Sequence, residues 1–344
     1  MDLIYMNANR EDVGVLQNYD LDLAFGADEN SFECKIQAPD HCCEPGWFLY
    51  IDGTEYGGII DSIQIDTANN EVTYYGRTWH GILGSKVVVP FHSPEYWVEG
   101  LDWLSYNTIS GVYAEDRYLA IGGNANSCIQ FIINRVGLKN LFAASTDEVE
   151  SKVEPYKFDR YTDAYSGLRK MLKSAGLKMK VKFDGGMVVL SAVDLHDYSQ
   201  DEEFDGDSVE FTMRKNYNSV NHLICLGTGE LENRMVIHLY ADENGNVSQT
   251  QSLFNEDEYV AVFDYPNAES EEELIKSGTD ELKALWEQNK LTVDFDPDTD
   301  VYGVGDIVGA YDNHTKTSVS AEVIKKIVTI KNGQINISYE VGEK

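Results

Sequence analysis

The chain has 344 residues, and 27 basic side chains against 59 acidic ones give a formal net charge of −32. Hydrophobic residues at 42% and charged residues at 25% are ordinary globular values, so a sizeable core is expected, in about two to three domains, and wholesale disorder is excluded. A surface this negative repels phosphate backbones and anionic lipid, because both kinds of binding rely on Lys and Arg; stable nucleic-acid or membrane-surface binding is not expected.

The 21 Tyr, 13 Phe and 5 Trp favour strands and large contact surfaces. The first residues, Met1 to Asn7, lack the basic and long apolar regions of a secretory signal, and no apolar run approaches the roughly 20 residues that span a bilayer; a soluble chain made in the cytoplasm is expected. Cys34, Cys42, Cys43, Cys128 and Cys225 are an odd number without C-x-x-C spacing, which suits reduced thiols.

Up to about Pro90, short alternating runs at Tyr19 to Phe25, Phe32 to Ile36, Trp47 to Ile51, Gly58 to Ile65 and Val72 to Gly76 predict antiparallel strands of a small barrel or sandwich. Asp52-Gly53 suits a tight hairpin, and Ala68-Asn69-Asn70 can supply positive φ. Ile129, Ile132, Ile133 and Val136 then recur at helical spacing, with Asn126 or Ser127 as N-cap and Gly137 as stop. A second amphipathic helix follows Thr162, with Tyr165, Leu168, Leu172 and Ala175 on one face, Arg169, Lys170 and Lys173 outward, and Gly176 closing it. Met179, Val181 and Phe183 alternate into Asp184-Gly185-Gly186 and out through Val188 and Leu190, a hairpin that can pack on those helices.

An acidic, turn-prone stretch from Ser199 to Ser208 marks a domain boundary. Strand signals return at Val209 to Arg214, Val220 to Leu226 and Met235 to Ala241, then a turn at Asp242 to Asn246 and an exit through Val247 to Gln251. Ser270 and Glu273 form a capping box before a helix with Ile275, Leu282, Leu285 and Trp286 on one face, and Val301 to the end is strand-like. Ile60-x-x-Ile63-x-Ile65, a turn at Asn69-Asn70 and Val72-x-Tyr74 can be set beside Ile324-x-x-Ile327, a turn at Asn332-Gly333 and Ile335-x-Ile337, which leaves open a duplicated barrel or generic hairpin patterning.

No constellation assigns a catalytic, cofactor-binding or metal-ligating residue. Asp294, Asp296, Asp298 and Asp300 alternate as calcium ligands do, but Thr299 and Gly305 stand where the loop needs Gly and Glu, and Pro297 favours a solvated turn. Asp242-x-Asn244-x-Asn246 reads as a hairpin. Cys34, His41, Cys42 and Cys43 lack the second ligand pair of a zinc site. His80, His92, His196, His222, His238 and His314 are scattered, with no metalloprotease or nucleophile-elbow motif. Gly227-Thr228-Gly229 fails as a dinucleotide loop and Gly81 to Lys86 as a phosphate loop, and Asn313-His314-Thr315 is a sequon without a secretion signal. Carboxylate pairs for glycoside hydrolysis keep a cell-wall glycan hydrolase or glycan-binding module as the alternative reading.

At Tyr74-Tyr75-Gly76-Arg77-Thr78-Trp79-His80-Gly81-Ile82-Leu83-Gly84-Ser85-Lys86-Val87-Val88-Val89-Pro90 the chain resembles siphophage tail-hub proteins, in which a strand ends in Gly-Arg and a Gly-hydrophobic-Leu turn leads to a basic residue and a Val-rich strand. Leu226-Gly227-Thr228-Gly229-Glu230-Leu231, then Arg234 and Leu239-Tyr240-Ala241-Asp242 before Gly245, is a second match. Together they resemble the structural amino-terminal part of tail-associated lysins and the central hub protein of contractile baseplates.

The resemblance implies an α+β, mainly β fold: two small antiparallel β-barrel domains, 1–92 and 208–251 with 299–344, and an intervening α+β region, 93–207 completed by 252–298. It implies a homotrimer whose barrels form a pseudo-sixfold ring in the virion tail, joining a tail-tube or distal-tail protein to a tip fibre, needle or lysin chain, and made in the bacterial host cytoplasm. Acidic walls would let DNA pass without binding it. The chain stops at Lys344 soon after the last strands, so a hub without cutting activity of its own is expected, with no catalytic residue, cofactor or metal carried over.

Overall fold

The computed structural model describes residues 2–89, 112–115, 118–147, 149, 151–200, 210–212, 219–243, 245–266, 268, 270–286, 291–294, 301–312, 317–331 and 333–343, and the chain is mainly β. His92, the sequon at 313–315, most of the acidic stretch 199–208 and of the 294–300 loop lie outside the described residues. Contacts divide the chain into two units, Met1–Phe211 with Val293–Gly342, and Thr212–Thr292 inserted between them.

The first unit begins with β1 (Leu3–Met6), β2 (Asp12–Leu16), β3 (Asp20–Gly26), β4 (Asn30–Gln37), β5 (Phe48–Tyr50), β6 (Gly57–Asp66) and β7 (Glu71–Thr78). Alternation is clearest in β4, where Phe32, Cys34 and Ile36 are buried. The β6–β7 turn is held by Asp66, whose Oδ1 accepts from Ala68 and Asn69 N–H at 2.9 and 3.1 Å, with Asn70 at φ 56°. Asp52-Gly53 does not make the expected tight hairpin: it lies in the longer loop from β5 to β6, because Gly53, at φ 74°, donates instead to Phe183 O at 3.0 Å.

Directly after β7 comes a short helix, α1 (Trp79–Gly84), capped by Thr78 and buried almost throughout. Then follow β8 (Val112–Glu115), β9 (Tyr118–Asn124) and α2 (Ala125–Arg135). Its N-cap is Asn124, whose side chain accepts from Ser127 N–H at 3.0 Å, rather than Asn126 or Ser127. Asn126 is buried and otherwise engaged, donating to Asp147 O and accepting from Ala192 N–H. Gly137, at φ 75°, ends the helix as expected.

β10 (Phe142–Ala144), β11 (Lys152–Lys157), α3 (Ala164–Lys173), β12 (Leu177–Asp184) and β13 (Met187–Asp194) complete this stretch. The expected hairpin of Met179, Val181 and Phe183 with Val188 and Leu190 forms and extends to Leu177↔Asp194, with Gly185 and Gly186 at φ 57° and 80°. Trp79, Ile129, Ile132, Leu168, Leu172, Phe183 and Leu190 share one core, and each such side chain contributes about 1.5–3 kcal/mol by leaving water.

Past β14 (Glu210–Thr212), the second unit holds β15 (His222–Leu226), β16 (Val236–Ala241), β17 (Val247–Ser248), β18 (Val260–Asp264) and α4 (Glu271–Trp286). Its sheet runs β17, β16, β15, β18, with β18 parallel to β15. Ser270 Oγ accepts from Glu273 N–H at 3.2 Å, as its capping role requires. Gly278 of α4 sits on Cys225 and Leu239, where a Cβ would come within 2.4 Å of the thiol sulfur.

The chain then returns through β19 (Leu291–Asp294), β20 (Ile307–Asp312), β21 (Thr317–Lys331) and β22 (Gln334–Glu343). β21 pairs antiparallel with β3 from Lys325↔Gly26 to Ile330↔Leu21. The large sheet therefore runs β14, β19, β22, β21, β3, β4, β7, β6, β5, β1, β2, with β20 on β21. The two isoleucine-rich segments at 60–74 and 324–337 are both hairpins, flanking the β3–β4 pair. Among the described residues the path is open at β2 and β15 to β18 form a sheet of their own, so open sheets stand where closed barrels were expected.

Candidate functional site

Between Asp163 and Asp184 the chain has no acidic residue and six basic ones, Arg169, Lys170, Lys173, Lys178, Lys180 and Lys182. Local structure turns this run into two stripes. In α3 the apolar face, Leu168, Met171 and Leu172, is buried, so Arg169, Lys170 and Lys173 stay on the other side. In β12 the pleat sends Val181 and Phe183 into the core and leaves Lys178, Lys180 and Lys182 together on the opposite face.

Both stripes line a cavity of about 860 Å³ in the first unit, with Lys326 of β21 and the segment Val301 to Gly305. Seven cations thus meet one cavity of a chain whose net charge is −32, against the lining acids Glu55 and Glu322. Aromatic rings also line it: His80 stacks on Phe25 with centroids 4.2 Å apart and meets the edge of Tyr165 at 5.3 Å.

Several of the cations are already paired. Lys326 Nζ lies 2.9 Å from Glu55 Oε1, while Arg169 and Lys173 share Glu322, Arg169 at 3.8 Å. Lys178 binds Asp306, which is fully buried and also accepts from the N–H groups of His196 and Gly303 at 3.1 and 2.8 Å. Lys170 and Lys182 reach the outlying Asp159 and Asp184. Among the described residues Lys180 makes no ion pair. His80 is 3% exposed, and among the described residues its Nδ1 has no hydrogen-bond partner. Burial, with Arg169 and Lys326 nearby, pushes the His80 pKa down to about 3, so the ring is neutral.

The candidates suggested by sequence motifs fall elsewhere, and most become architecture. Tyr74 Oη lies 2.9 Å from His41 Nδ1 and accepts from the N–H groups of Cys42 and Cys43. Burial pushes the Cys34 and Cys43 thiols up, and among the described residues no three His, Cys, Asp or Glu side chains converge on a metal position. Gly81 to Lys86 belongs to α1 and its end, where a Cβ on Gly81 would lie 2.1 Å from Asn30 O. Asp242 closes the β16–β17 hairpin by accepting from Asn246 N–H at 2.9 Å.

In the second unit, residues far apart in sequence do come together. His222 Nδ1 lies 2.6 Å from Glu258 Oε1, and its Nε2 lies 2.8 Å from His238 Nδ1. A carboxylate only accepts, so His222 donates to Glu258 through Nδ1; in its neutral form Nε2 then accepts from His238. Cross-strand register makes the pair: Ile224 faces His238 and His222 faces Tyr240, so the two imidazoles are diagonal neighbours on one face. Alternation of His222 with Ile224 and of His238 with Tyr240 is the only trace in the sequence.

No family model and no curated protein matches this chain. Solved structures align along its whole length, two of them tail proteins. One is the 43 kDa tail protein of prophage MuSo2 from Shewanella oneidensis, with 10% identity, a TM-score of 0.53 and coverage of 100% of this chain and 98% of that one. The other is the tail protein from Neisseria meningitidis MC58, with 12% identity, a TM-score of 0.49 and coverage of 100% and 96%. The mainly β, α+β fold of this chain is thus similar to that of the prophage protein from Shewanella.

Proposed function

We propose that the chain is a structural tail protein of a phage or prophage, a baseplate or tail-tip hub that forms a trimeric ring between the tail tube and the tip. The observation that carries this reading is the fold shared, end to end, with the Shewanella prophage tail protein. The residues of the hub-like segment at 74–90 support it by being architectural. Arg77 clamps Asp61 with two hydrogen bonds of 2.8 Å, Thr78 caps α1, and Trp79 is completely buried. Gly229, at φ 100° in the second segment, lies where a Cβ would come within 2.3 Å of Asn233 O.

In this proposal the β domains are 1–92 and 208–251 with 299–344, the α+β part is 93–207 with 252–298, and the β3–β21 ladder is where early and late strands meet. The partners are two further copies, a tail-tube or distal-tail protein on one side and a fibre, needle or lysin chain on the other. The protein resides in the virion tail after synthesis in the bacterial cytoplasm, and its role is assembly rather than catalysis. Closed threefold symmetry would cover aromatic surface and turn the acidic excess towards a lumen that DNA crosses without binding.

Light scattering over a wide concentration range tests the reading. The expected mass is three times 38.7 kDa, with rings seen by electron microscopy when the tail-tube protein is added. A strict monomer that forms no ring with that partner overturns it, and peptidoglycan clearing lost on changing a carboxylate pair would replace it with the hydrolase reading.

A further inference from the structure

β12 is an edge strand, because its sheet runs β10, β13, β12 and stops. One end of the free edge is occupied: Phe183 N–H donates to Thr54 O at 2.8 Å, and Phe183 O accepts from Gly53 N–H at 3.0 Å. Backbone groups point to the same side at every second residue of a strand. Met179 and Val181 therefore offer their N–H and C=O along the same edge, and among the described residues no other segment hydrogen-bonds them there. This open stretch lines the 860 Å³ cavity, as do Lys178, Lys180 and Lys182.

Lysines beside an exposed edge ordinarily deter strand pairing, by setting charge against any neutral or basic strand that approaches. Here they select instead. The chain has few basic residues, yet the run from 169 to 182 sets six of them around the cavity beside this edge, three of them on β12 itself, and among the described residues Lys180 has no carboxylate of its own. An acidic segment is repelled by most of a surface at −32 and attracted at this one place.

We propose that the free edge of β12 docks an extended, carboxylate-rich segment of a partner protein, which adds as a strand and sets alternate acidic side chains against Lys178, Lys180 and Lys182. Main-chain hydrogen bonds to Met179 and Val181 supply affinity, and the lysine face supplies specificity. The inference rests on the cavity and the edge alone, so it stands or falls separately from the tail reading.

The test is fluorescence anisotropy on the intact chain, with a short labelled peptide of alternating glutamate and threonine as probe. Binding should weaken with salt, fall at least about tenfold in Lys180→Glu/Lys182→Glu, and vanish for the glutamine counterpart. Methylating alternate amide nitrogens of the probe keeps every charge but removes the strand bonds, and should also cost about tenfold or more. Thermal melts of the double variant confirm that it folds. Absence of binding overturns the proposal, as does equal binding by the N-methylated probe, which would mean charge attraction alone. Displacement by tripolyphosphate at matched charge, with the N-methylated probe unimpaired, overturns it in favour of a small-anion pocket.

Discussion

Lys326 Nζ of β21 lies 2.9 Å from Glu55 Oε1 of the β5–β6 loop, and the lysine side chain is 3% exposed while the glutamate is 23% exposed. The ammonium is also over the rings of Tyr56 and Tyr339, at 5.2 and 5.9 Å from their centroids. The pair is therefore unequal: Glu55 can turn to water when its partner is lost, whereas Lys326 cannot. Glu55→Ala should destabilise the chain by about 2–4 kcal/mol and Lys326→Met by less than about 1.5 kcal/mol. Urea unfolding of both variants checks the order, and the reverse order would contradict it.

His80 gives a pH dependence with a definite sign. Its folded pKa, about 3, is below the ordinary value near 6.5, chiefly through burial, so between those values the unfolded chain binds the extra proton. Its contribution is complete above about pH 6.5 and is lost as pH falls towards 3, at up to about 1.4 kcal/mol per pH unit. His80→Phe, which keeps the stack on Phe25, should flatten the fall in unfolding midpoint between pH 7 and pH 4.5 relative to the wild type.

The five thiols should separate cleanly under alkylation at pH 8. Cys34, Cys43, Cys128 and Cys225 are buried, and burial pushes Cys128 and Cys225 up to about 11, leaving about one thiolate in a thousand. Cys42 is half-buried. Mass spectrometry should find one label, on Cys42, until denaturant is added; rapid labelling of Cys128 would contradict the packing of α2.

Gly76 lies where a side chain has no room. A Cβ there would lie 1.9 Å from Ile59 O and 2.7 Å from the Phe32 ring, so β7 could not keep its register with β6. Gly76→Ala should cost about 3 kcal/mol or more, seen as a large drop in melting temperature. The same change at Gly137, with open space around its Cβ position, should cost only the strain of its positive φ, about 1 kcal/mol.

Strands that bury every second residue are legible in the sequence: β3, β4, β7 and β12 fall within a residue or two of their expected positions, and β13 starts where expected but runs four residues further. β2 and β18 are not. Val13 and Val15 of β2, and Val260 and Val262 of β18, are exposed, so alternation there runs opposite to burial. α1 escapes a pattern reading because a short helix buried on nearly all sides has no polar face to set its period. The basic cavity is half legible. Arg169, Lys170 and Lys173 read as the outward face of a helix, while in β12 the pattern of Met179, Val181 and Phe183 draws the eye and the lysines between them pass as ordinary solvated residues. Nothing local joins α3, β12 and β21, since the last of these lies about 150 residues downstream of the helix.

The pairing of β21 with β3 also orders events during synthesis. Residues 21 to 26 of β3 leave the ribosome long before the strand that pairs with them, which spans 325 to 330. The whole inserted unit, Thr212–Thr292, is exported before that strand appears and can complete its own sheet meanwhile. β3 must wait with one edge unsatisfied while the residues between the two strands are made, exposed to chaperones and proteases. A chain translated only as far as the inserted unit is thereby marked by an open edge that the arrival of β21 closes.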